Sequence, residues 1–265
     1  MTVRLAVFGG GNMGAALVGG LVASGWAPAA DLAVVEPLEA RRQVLSTDLP
    51  GVTVVALLEG GAEAAVLAVK PADVAAAAVA ARDAQAGRVL SIAAGVSTAT
   101  IEAVLGSDAA VVRAMPNTPA LVRAGASAIA PGRHATDADL DWAAGILGAV
   151  GTVVRVPEHL LDAVTGLSGS GPAYLFLVVE ALIEAGVLAG LPRDVSRQLT
   201  TQLFVGTGSL LATSAETPEQ LRAAVTSPGG TTAAGLHALE RAGVRAAFLD
   251  AVLAATERSR ELGGA

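Results

Sequence analysis

The chain has 265 residues, of which 53% are hydrophobic, enough to fill the core of one large domain or two modest ones. Its net charge of −7 argues against nucleic acid or an anionic membrane as the main partner, because both require a basic face. The chain has no cysteine, which excludes disulfides, thiolate chemistry and cysteine-based metal sites.

A strand pattern begins at Val3 and leaves no room for a signal peptide. The most apolar long stretch, residues 160–191, is interrupted by Asp162, Glu180 and Glu184, so we expect no membrane span and no membrane partner. From these two features we expect a cytoplasmic protein.

Strand-like and helix-like segments alternate through the first 155 residues. The predicted strands are 4–8, 32–36, 53–55, 65–69, 89–92 and 111–114, and the predicted helices between them are 13–24, 38–45, 72–82 and 98–105. Two further short strands, 127–130 and 153–156, flank a helix at 137–150. This alternation predicts an α/β domain of the Rossmann type over residues 1–156, with a parallel sheet and helices on both of its faces.

After Pro157 the strand patterns disappear. The predicted helices there are about 158–189, 193–213, 217–225, 231–242 and 244–262. Thr217 and Gln220 have the spacing of a capping box, which predicts a helix start. We therefore predict a second, all-α domain over residues 157–265.

The clearest motif is a glycine-rich loop at the end of the first predicted strand. Gly9, Gly11 and Gly14 form a Gly-x-Gly-x-x-Gly pattern between an apolar run and a helix-like segment. In dinucleotide-binding units the first glycine permits a tight turn, the second lets the backbone approach a pyrophosphate, and the third lets helix and strand pack closely. The alternative is a structural glycine turn, since the chain has 31 glycines.

The rarest residues lie at the ends of predicted strands. Lys70 is the only lysine, and Asn12 and Asn117 are the only asparagines. Ligands of open α/β sheets bind at the carboxyl ends of the strands, so these residues are candidate ligand contacts. The alternatives are a surface lysine and turn-forming asparagines. The only tyrosine, Tyr174, follows a run rich in glycine and serine that would allow either close helix packing or ligand access.

A second candidate site is the sequence SPGGTT at 227–232, just before a predicted helix. Glycines, hydroxyls and free N–H groups at a helix N-terminus can bind an anion such as a substrate carboxylate, whereas an ordinary N-cap would explain only one of the hydroxyls. His134, His159 and His237 lack metal-binding spacing, so we expect no metal. We find no Ser–His–Asp order and no close carboxylate pair at these loops, which favours hydride transfer to an activated acceptor.

Together these motifs resemble the pyrroline-5-carboxylate reductases of proline biosynthesis, and the resemblance covers essentially the whole chain. Six motifs carry it in order: residues 9–14, AVKP at 68–71, AAG at 93–95, MPNTP at 115–119, DAVTGLSGSGPAY at 162–174 and SPGGTT at 227–232. The resemblance implies NAD(P)H-dependent reduction of the C=N bond of 1-pyrroline-5-carboxylate to L-proline. It also implies a homodimer with interlocked helical dimerisation domains, which can assemble further into a decamer.

The resemblance also assigns site residues. It implies cofactor contacts at Gly9, Gly10, Gly11, Asn12, Met13, Gly14, Ala68, Val69, Lys70, Pro71, Ile92, Ala93 and Ala94. Asn117, which lies at a strand end like Lys70, is a further predicted cofactor contact. It implies substrate contacts at Ser227, Pro228, Gly229, Gly230, Thr231 and Thr232. Thr232 matches the family position whose hydroxyl approaches the ring nitrogen, which makes it the expected catalytic residue.

One position departs from the family pattern. Glu36 lies at the end of the second predicted strand, where an acid usually accepts the ribose 2′-hydroxyl of NAD and repels the 2′-phosphate of NADP. Many family members have a small hydroxyl residue at about this place and use NADP. Arg41 and Arg42 could still receive a phosphate, and Glu36 could simply be a solvated cap. We therefore expect both NAD and NADP to be used, with NADH used better than in a typical member.

Three alternatives stay open at this stage. The first is another imine or β-hydroxyacid reductase, although the latter class usually has a catalytic lysine in its second domain and this chain has no lysine after Lys70. The second is a non-catalytic dinucleotide-binding module. The third is a helical domain that serves dimerisation alone.

Overall fold

The computed structural model describes residues 2–106 and 108–263. Its centre is an eight-stranded sheet with the strand order β3-β2-β1-β4-β5-β6-β7-β8, in which only the β6–β7 pair is antiparallel. The strands are β1 Leu5–Phe8, β2 Leu32–Val35, β3 Thr53–Val55, β4 Ala64–Leu67, β5 Arg88–Ser91, β6 Ala110–Met115, β7 Gly125–Pro131 and β8 Gly151–Arg155. This order brings the carboxyl ends of β1, β4, β5 and β6 to one edge of the sheet, and it confirms the predicted Rossmann-type fold class.

Helices cover both faces of the sheet. They are α1 Asn12–Ala23, α2 Glu39–Asp48, α3 Val74–Asp83, α4 Thr98–Leu105 and α5 Asp137–Gly148. Successive residues of β1 point to opposite faces, so Leu5 and Val7 pack in one core cluster while Ala6 and Phe8 pack in the other. All four are buried, as expected for a parallel strand that is covered on both sides.

Strand β4 is shorter than the apolar pattern predicts. The sequence predicts a strand over 65–69, but β4 ends at Leu67. Ala68 and Val69 therefore belong to the loop at the carboxyl end of the strand. The apolar run continues into this loop because both residues are partly buried against the core clusters.

The chain divides into two compact units at Ser170 and again at Val252. Residues 157–170 and 253–263, which we predicted as part of the helical domain, pack within the first unit. Two contacts bind these segments to one another and to the sheet domain. The hydroxyl of Ser259 donates a hydrogen bond of 2.7 Å to the carboxylate of Asp162, and the backbone of Gly263 lies against Gly95.

The segment 158–188 is interrupted, whereas the apolar pattern predicts one helix over about 158–189. A 3₁₀ turn Glu158–Leu160 leads into α6 Leu161–Val164 and a π-helical turn Thr165–Gly169, and α7 Gly171–Leu188 follows. The Thr165 and Ser168 hydroxyls donate to backbone carbonyls four residues earlier, at 2.8 and 3.2 Å. Such side-chain bonds disturb the regular helical ladder, and π-turns often lie at functional sites.

The second unit consists of helices alone. It contains α7, α8 Arg193–Thr213, α9 Pro218–Ala224, α10 Thr231–Arg241 and the first half of α11 Val244–Gly263. The predicted capping box at Thr217 and Gln220 is confirmed, since each residue's side chain bonds the backbone N–H of the other. Within this unit α7 has no buried residue, and Ser196 and Thr200 are the buried residues of α8.

One helical stretch of the described chain, 158–188, is long and apolar enough to cross a membrane by length and composition, with a mean hydropathy of 1.7. A single stretch of this kind is weak evidence, because core helices of soluble proteins have the same property. None of its most apolar window is buried within the chain.

Candidate active site

The glycine loop after β1 has the geometry of a pyrophosphate cradle. Gly9 has a φ of +102°, and a Cβ atom there would collide with the carbonyl oxygen of Ala68. A Cβ on Gly14 would collide with the carbonyl oxygen of Gly9, whereas a Cβ on Gly11 would enter open space. The first and third glycines therefore serve close packing, and the second leaves room for a ligand to approach the backbone.

The N-terminus of α1 is also suited to an anion. Its N-cap is Gly11, no side chain caps the helix, and its first turn has no acidic residue. Asn12 is exposed at the first position of the helix, and Met13 follows half-buried. The free N–H groups of such a terminus attract a phosphate. These features fit a dinucleotide.

Glu36 lies beneath this loop and is buried, with an exposed fraction of 7%. Its Oε2 accepts a hydrogen bond of 2.9 Å from the N–H of Gly10, and its Oε1 accepts one of 2.9 Å from the N–H of Leu38. A Cβ on Gly10 would collide with Leu45 and stand 3.2 Å from the Cβ of Glu36. The N–H of Gly10 thus points to Glu36, and Glu36 holds the glycine loop in place through this hydrogen bond.

Two arginines hold the backbone around Glu36. The Nε of Arg41 donates to the carbonyl of Gly10 at 2.7 Å. One terminal nitrogen of Arg42 donates to the carbonyls of Glu36 and Pro37, at 3.0 and 2.6 Å. Both arginines are therefore attached to the loops that border the predicted ribose site.

The loops after β4 and β5 lie along the same edge. The first carries Ala68, Val69, Lys70 and Pro71, and the second carries Ile92, Ala93 and Ala94. Among the described residues, the side chain of Lys70 makes no hydrogen bond or ion pair, and Lys70 is exposed. Ser91, at the end of β5, is a polar residue that sequence patterns do not single out, because it lies in a strand and belongs to no motif. It is fully buried, and its hydroxyl accepts a weak bond of 3.4 Å from the N–H of Ala93.

Asn117 is buried and both ends of its amide are engaged within the protein. Nδ2 donates to the carbonyl of Ser168 at 3.0 Å, and Oδ1 accepts from the N–H of Ala126 at 2.8 Å. Asn117 thereby ties the loop after β6 to the π-helical turn and to β7. The structure gives it a structural role, and its predicted cofactor contact stays a prediction.

The glycine- and serine-rich run of the π-helical turn makes a close contact. A Cβ on Gly169 would stand 2.7 Å from the Cε of Met115 at the end of β6. Close packing is therefore one reason for glycine here, and ligand access to the backbone stays a prediction.

A cavity of about 320 Å³ in the first unit joins these loops to the chain's last helix. Its lining consists of Pro71, Ala94, Gly95, Thr165, Ser170, Ala255, Arg258, Ser259 and Leu262. Sequence analysis predicted only the residues from the strand-end loops. The contribution of α11 has no local signal, because it depends on contacts such as the bond between Ser259 and Asp162, which are 97 residues apart.

The SPGGTT segment belongs to the second unit. Gly229 has a φ of +69°, the N–H of Gly230 donates to the carbonyl of Ser227 at 3.0 Å, and a Cβ on Gly230 would collide with the Ser227 hydroxyl. Gly230 is the N-cap of α10, without a side-chain cap and without an acid in the first turn. The helix starts one residue after the glycines, as predicted, and Thr231 and Thr232 are its first two residues. Pro228 is exposed, and Thr232 is half-buried.

Charged side chains stabilise the far end of this helix. Arg245 donates from Nε to both carboxylate oxygens of Glu240, at 2.8 and 2.9 Å. This hydrogen bond lowers the pKa of the Glu240 carboxyl and raises the pKa of Arg245. The ion pair links the end of α10 to the start of α11.

Metal-ligating side chains do not cluster in the described part of the chain. No group of three or more histidine, aspartate or glutamate side chains there is placed to hold a metal ion. His134, His159 and His237 are exposed and lie far apart in the sequence.

Comparison with known proteins identifies the family. A sequence profile described as pyrroline-5-carboxylate reductase dimerisation matches residues 158–262. A second, described as NADP oxidoreductase coenzyme F420-dependent, matches residues 4–95. A pyrroline-5-carboxylate reductase of Synechocystis sp. is 45% identical over 99% of this chain and 99% of its own length. This chain belongs to the pyrroline-5-carboxylate reductase family.

Other members of the pyrroline-5-carboxylate reductase family agree. The reductase of Mycobacterium tuberculosis is 44% identical over 98% of this chain and 96% of its own length. The solved reductase of Coxiella burnetii has a TM-score of 0.91 and 36% identity, with 99% of both chains covered. That of Plasmodium falciparum, solved with NADP bound, has a TM-score of 0.82 and 28% identity, with 98% of both chains covered. The resemblance drawn from the six motifs is thereby confirmed.

Proposed function

We propose that this protein reduces the C=N bond of 1-pyrroline-5-carboxylate to give L-proline, with NADH or NADPH as the hydride donor. The observation that carries the proposal is the similarity to pyrroline-5-carboxylate reductases, which extends over 99% of the chain and so includes both units. Each unit also has an uncapped helix N-terminus after a glycine turn, at α1 and at α10. Two such sites suit a reaction with a pyrophosphate-bearing cofactor and a carboxylate-bearing substrate.

The residues of the first unit would hold the dinucleotide. Gly11 leaves open space for the pyrophosphate, and the N–H groups of Asn12 and Met13 at the start of α1 are suited to bind its charge. The strand-end loops at 68–71 and 92–94 would border the rest of the cofactor. When bound, the reduced dinucleotide supplies the hydride.

The loop 227–232 would hold the substrate. The N–H groups of Thr231 and Thr232 at the α10 terminus, together with the hydroxyls of Ser227 and Thr231, suit the ring carboxylate. We assign to Thr232 the role of donating to, or orienting, the ring nitrogen. Its hydroxyl makes no hydrogen bond with any described residue, so it is available to a ligand.

The chemistry needs little acid–base assistance. Hydride forms a C–H bond at the imine carbon while the electron pair of the C=N bond moves to nitrogen, and a nitrogen that is already protonated ends as the amine of proline. Holding the two reactants in line therefore supplies most of the acceleration. This agrees with the described candidate loops, where Lys70 is the only cation whose side chain has no partner.

A non-catalytic dinucleotide-binding module and a β-hydroxyacid reductase are the competing functions. The second is disfavoured because the helical unit has no lysine. The dinucleotide-binding module predicts cofactor binding without turnover, and the loop 227–232 would then have no role.

We also propose that the protein is a homodimer formed through its helical unit, and that five such dimers form a decamer as the larger assembly. The match of residues 158–262 to a dimerisation profile supports this. So does the exposure of apolar side chains, such as Phe176 at 64%, Leu188 at 90% and Leu203 at 56%, which a second copy would cover. A cytoplasmic location is part of the same proposal, since reduced nicotinamide dinucleotides are available in that compartment.

The decisive experiment measures proline formed from 1-pyrroline-5-carboxylate, with NADH and NADPH in parallel. We expect turnover, with one proline formed per dinucleotide oxidised. Dinucleotide binding without proline formation would refute the proposed reaction and favour the binding module. Light scattering of the purified protein distinguishes monomer, dimer and decamer.

A further inference from the structure

Glu36 is held in a position that decides which dinucleotide fits. It follows β2, the strand next to β1, and its carboxylate is bonded to the N–H of Gly10 inside the phosphate loop. In dinucleotide-binding folds the acid at this place receives the ribose of the adenosine half. A carboxylate offers about four lone-pair sites, and Gly10 and Leu38 use two of them, which leaves acceptors for the two ribose hydroxyls.

The anchoring matters because it prevents the carboxylate from moving away. If the Glu36 side chain moved away, it would break its hydrogen bonds to two backbone N–H groups, one of them buried. A buried N–H group without a partner is costly. Gly10 also packs against Glu36, since a Cβ on Gly10 would stand 3.2 Å from the Cβ of Glu36 and 3.3 Å from its Oε2.

The charge of Glu36 has no counter-ion in direct contact. Both its partners are neutral backbone groups, and within the described residues it takes part in no ion pair. A ribose 2′-phosphate beside it would bring two or more negative charges together in a partly desolvated site.

Arg41 and Arg42 offset the repulsion between Glu36 and a ribose 2′-phosphate only in part. Arg42 is directed to the carbonyls of Glu36 and Pro37, and Arg41 to the carbonyl of Gly10. Turning both guanidinium groups toward a phosphate would break these bonds, although the terminal nitrogens of Arg41 remain available. Arginine is thus present, but it is already engaged with the backbone, while the carboxylate is fixed.

From this arrangement we propose that the anchored carboxylate of Glu36 selects NADH over NADPH in this protein. The proposal deepens the proposed function, because it rests on the dinucleotide binding at the glycine loop. It goes beyond the expectation from sequence, which was use of both cofactors, with NADH used better than in a typical family member.

The test compares binding, so it does not depend on turnover. Dissociation constants of NADH and NADPH are measured by calorimetry for the wild-type protein and for Glu36→Gln, and Glu39→Gln is the matched control. Glu39 lies three residues on, is exposed, and loses the same charge. We expect wild type to bind NADH at least about tenfold more tightly than NADPH, a difference of about 1.4 kcal/mol. We expect Glu36→Gln to reduce this ratio by about tenfold, mainly through tighter NADPH binding, and Glu39→Gln to change it less than about twofold.

A wild-type protein that binds NADPH as tightly as NADH, or more tightly, would overturn the proposal. So would an unchanged ratio in a folded Glu36→Gln variant. If that variant fails to fold, competition by adenosine 5′-monophosphate and adenosine 2′,5′-bisphosphate on the wild type gives the answer, since the proposal requires the bisphosphate to bind more weakly. Failure of the proposed function looks different, because it shows as no binding of either dinucleotide or as binding without proline formation.

Discussion

The side-chain amide of Asn117 and the backbone carbonyl of Ser168 are joined by a hydrogen bond of 3.0 Å that links the sheet to the π-helical turn. The same amide accepts the N–H of Ala126 at 2.8 Å. One buried side chain thus fixes three segments at the edge of the sheet where the predicted cofactor loops lie. Such a position explains an asparagine through structure alone, whatever contact it also makes with a ligand.

We expect Asn117→Ala to lower the free energy of unfolding by about 2–4 kcal/mol, because it leaves two backbone groups unpaired at about 1–3 kcal/mol each. Urea denaturation at a fixed protein concentration measures this. Thr118→Ala, an exposed neighbour, is the control and is expected to change little. A loss of less than about 1 kcal/mol for Asn117→Ala would show that water or a local shift satisfies both groups.

Alanine substitutions at Gly14 and Gly11 of the glycine loop are expected to affect stability and dinucleotide binding differently. Gly14→Ala places a methyl group against the carbonyl of Gly9, so we expect it to destabilise the fold by about 1–3 kcal/mol. Gly11→Ala places its methyl group in open space, so stability is expected to fall by less than about 1 kcal/mol while dinucleotide binding weakens at least about tenfold. Thermal unfolding and calorimetric titration, applied to both variants, separate the two effects. Equal losses of stability would contradict this assignment.

Thr232 is expected to act on the chemical step. We expect Thr232→Ala to lower kcat at saturating substrate by about tenfold or more, while Thr232→Ser retains most of the activity, because only the hydroxyl is required. Thr201→Ala removes a hydroxyl from α8, where it bonds only to the backbone of its own helix, and serves as the control. Unchanged kcat in Thr232→Ala would remove this residue from the mechanism, and a rise in KM alone would reassign it to binding.

The apolar face of α8 is expected to form part of the dimer interface. Leu199 and Leu203 are four residues apart on one face, with exposed fractions of 57% and 56%. We expect the double variant Leu199→Asp and Leu203→Asp to be monomeric by light scattering and strongly reduced in activity. Val122→Asp introduces the same charge at a residue of the first unit that is 75% exposed, and we expect it to leave the oligomeric state unchanged. A dimer that survives the double substitution would place the interface elsewhere.

Much of the fold follows from local sequence patterns. The spacing of Gly9, Gly11 and Gly14, the apolar runs that alternate with helices, and the capping box at Thr217 depend on residues within a few positions of one another. Their conformations therefore follow from local sterics and hydrogen bonding. The sequence also determined the family, because six short motifs occur in the same order along the whole chain.

The tertiary structure decided which contacts Glu36 and Asn117 make. Glu36 could have been a solvated cap, but packing places it under Gly10, 26 residues away, and Asn117 could have been a turn former, but packing turns its amide toward Ser168, 51 residues away. The return of α11 to the strand ends and the π-helical break after Val164 likewise carry no local signal. Such contacts depend on how distant segments pack, and neither residue periodicity nor motif spacing encodes the direction of a buried side chain.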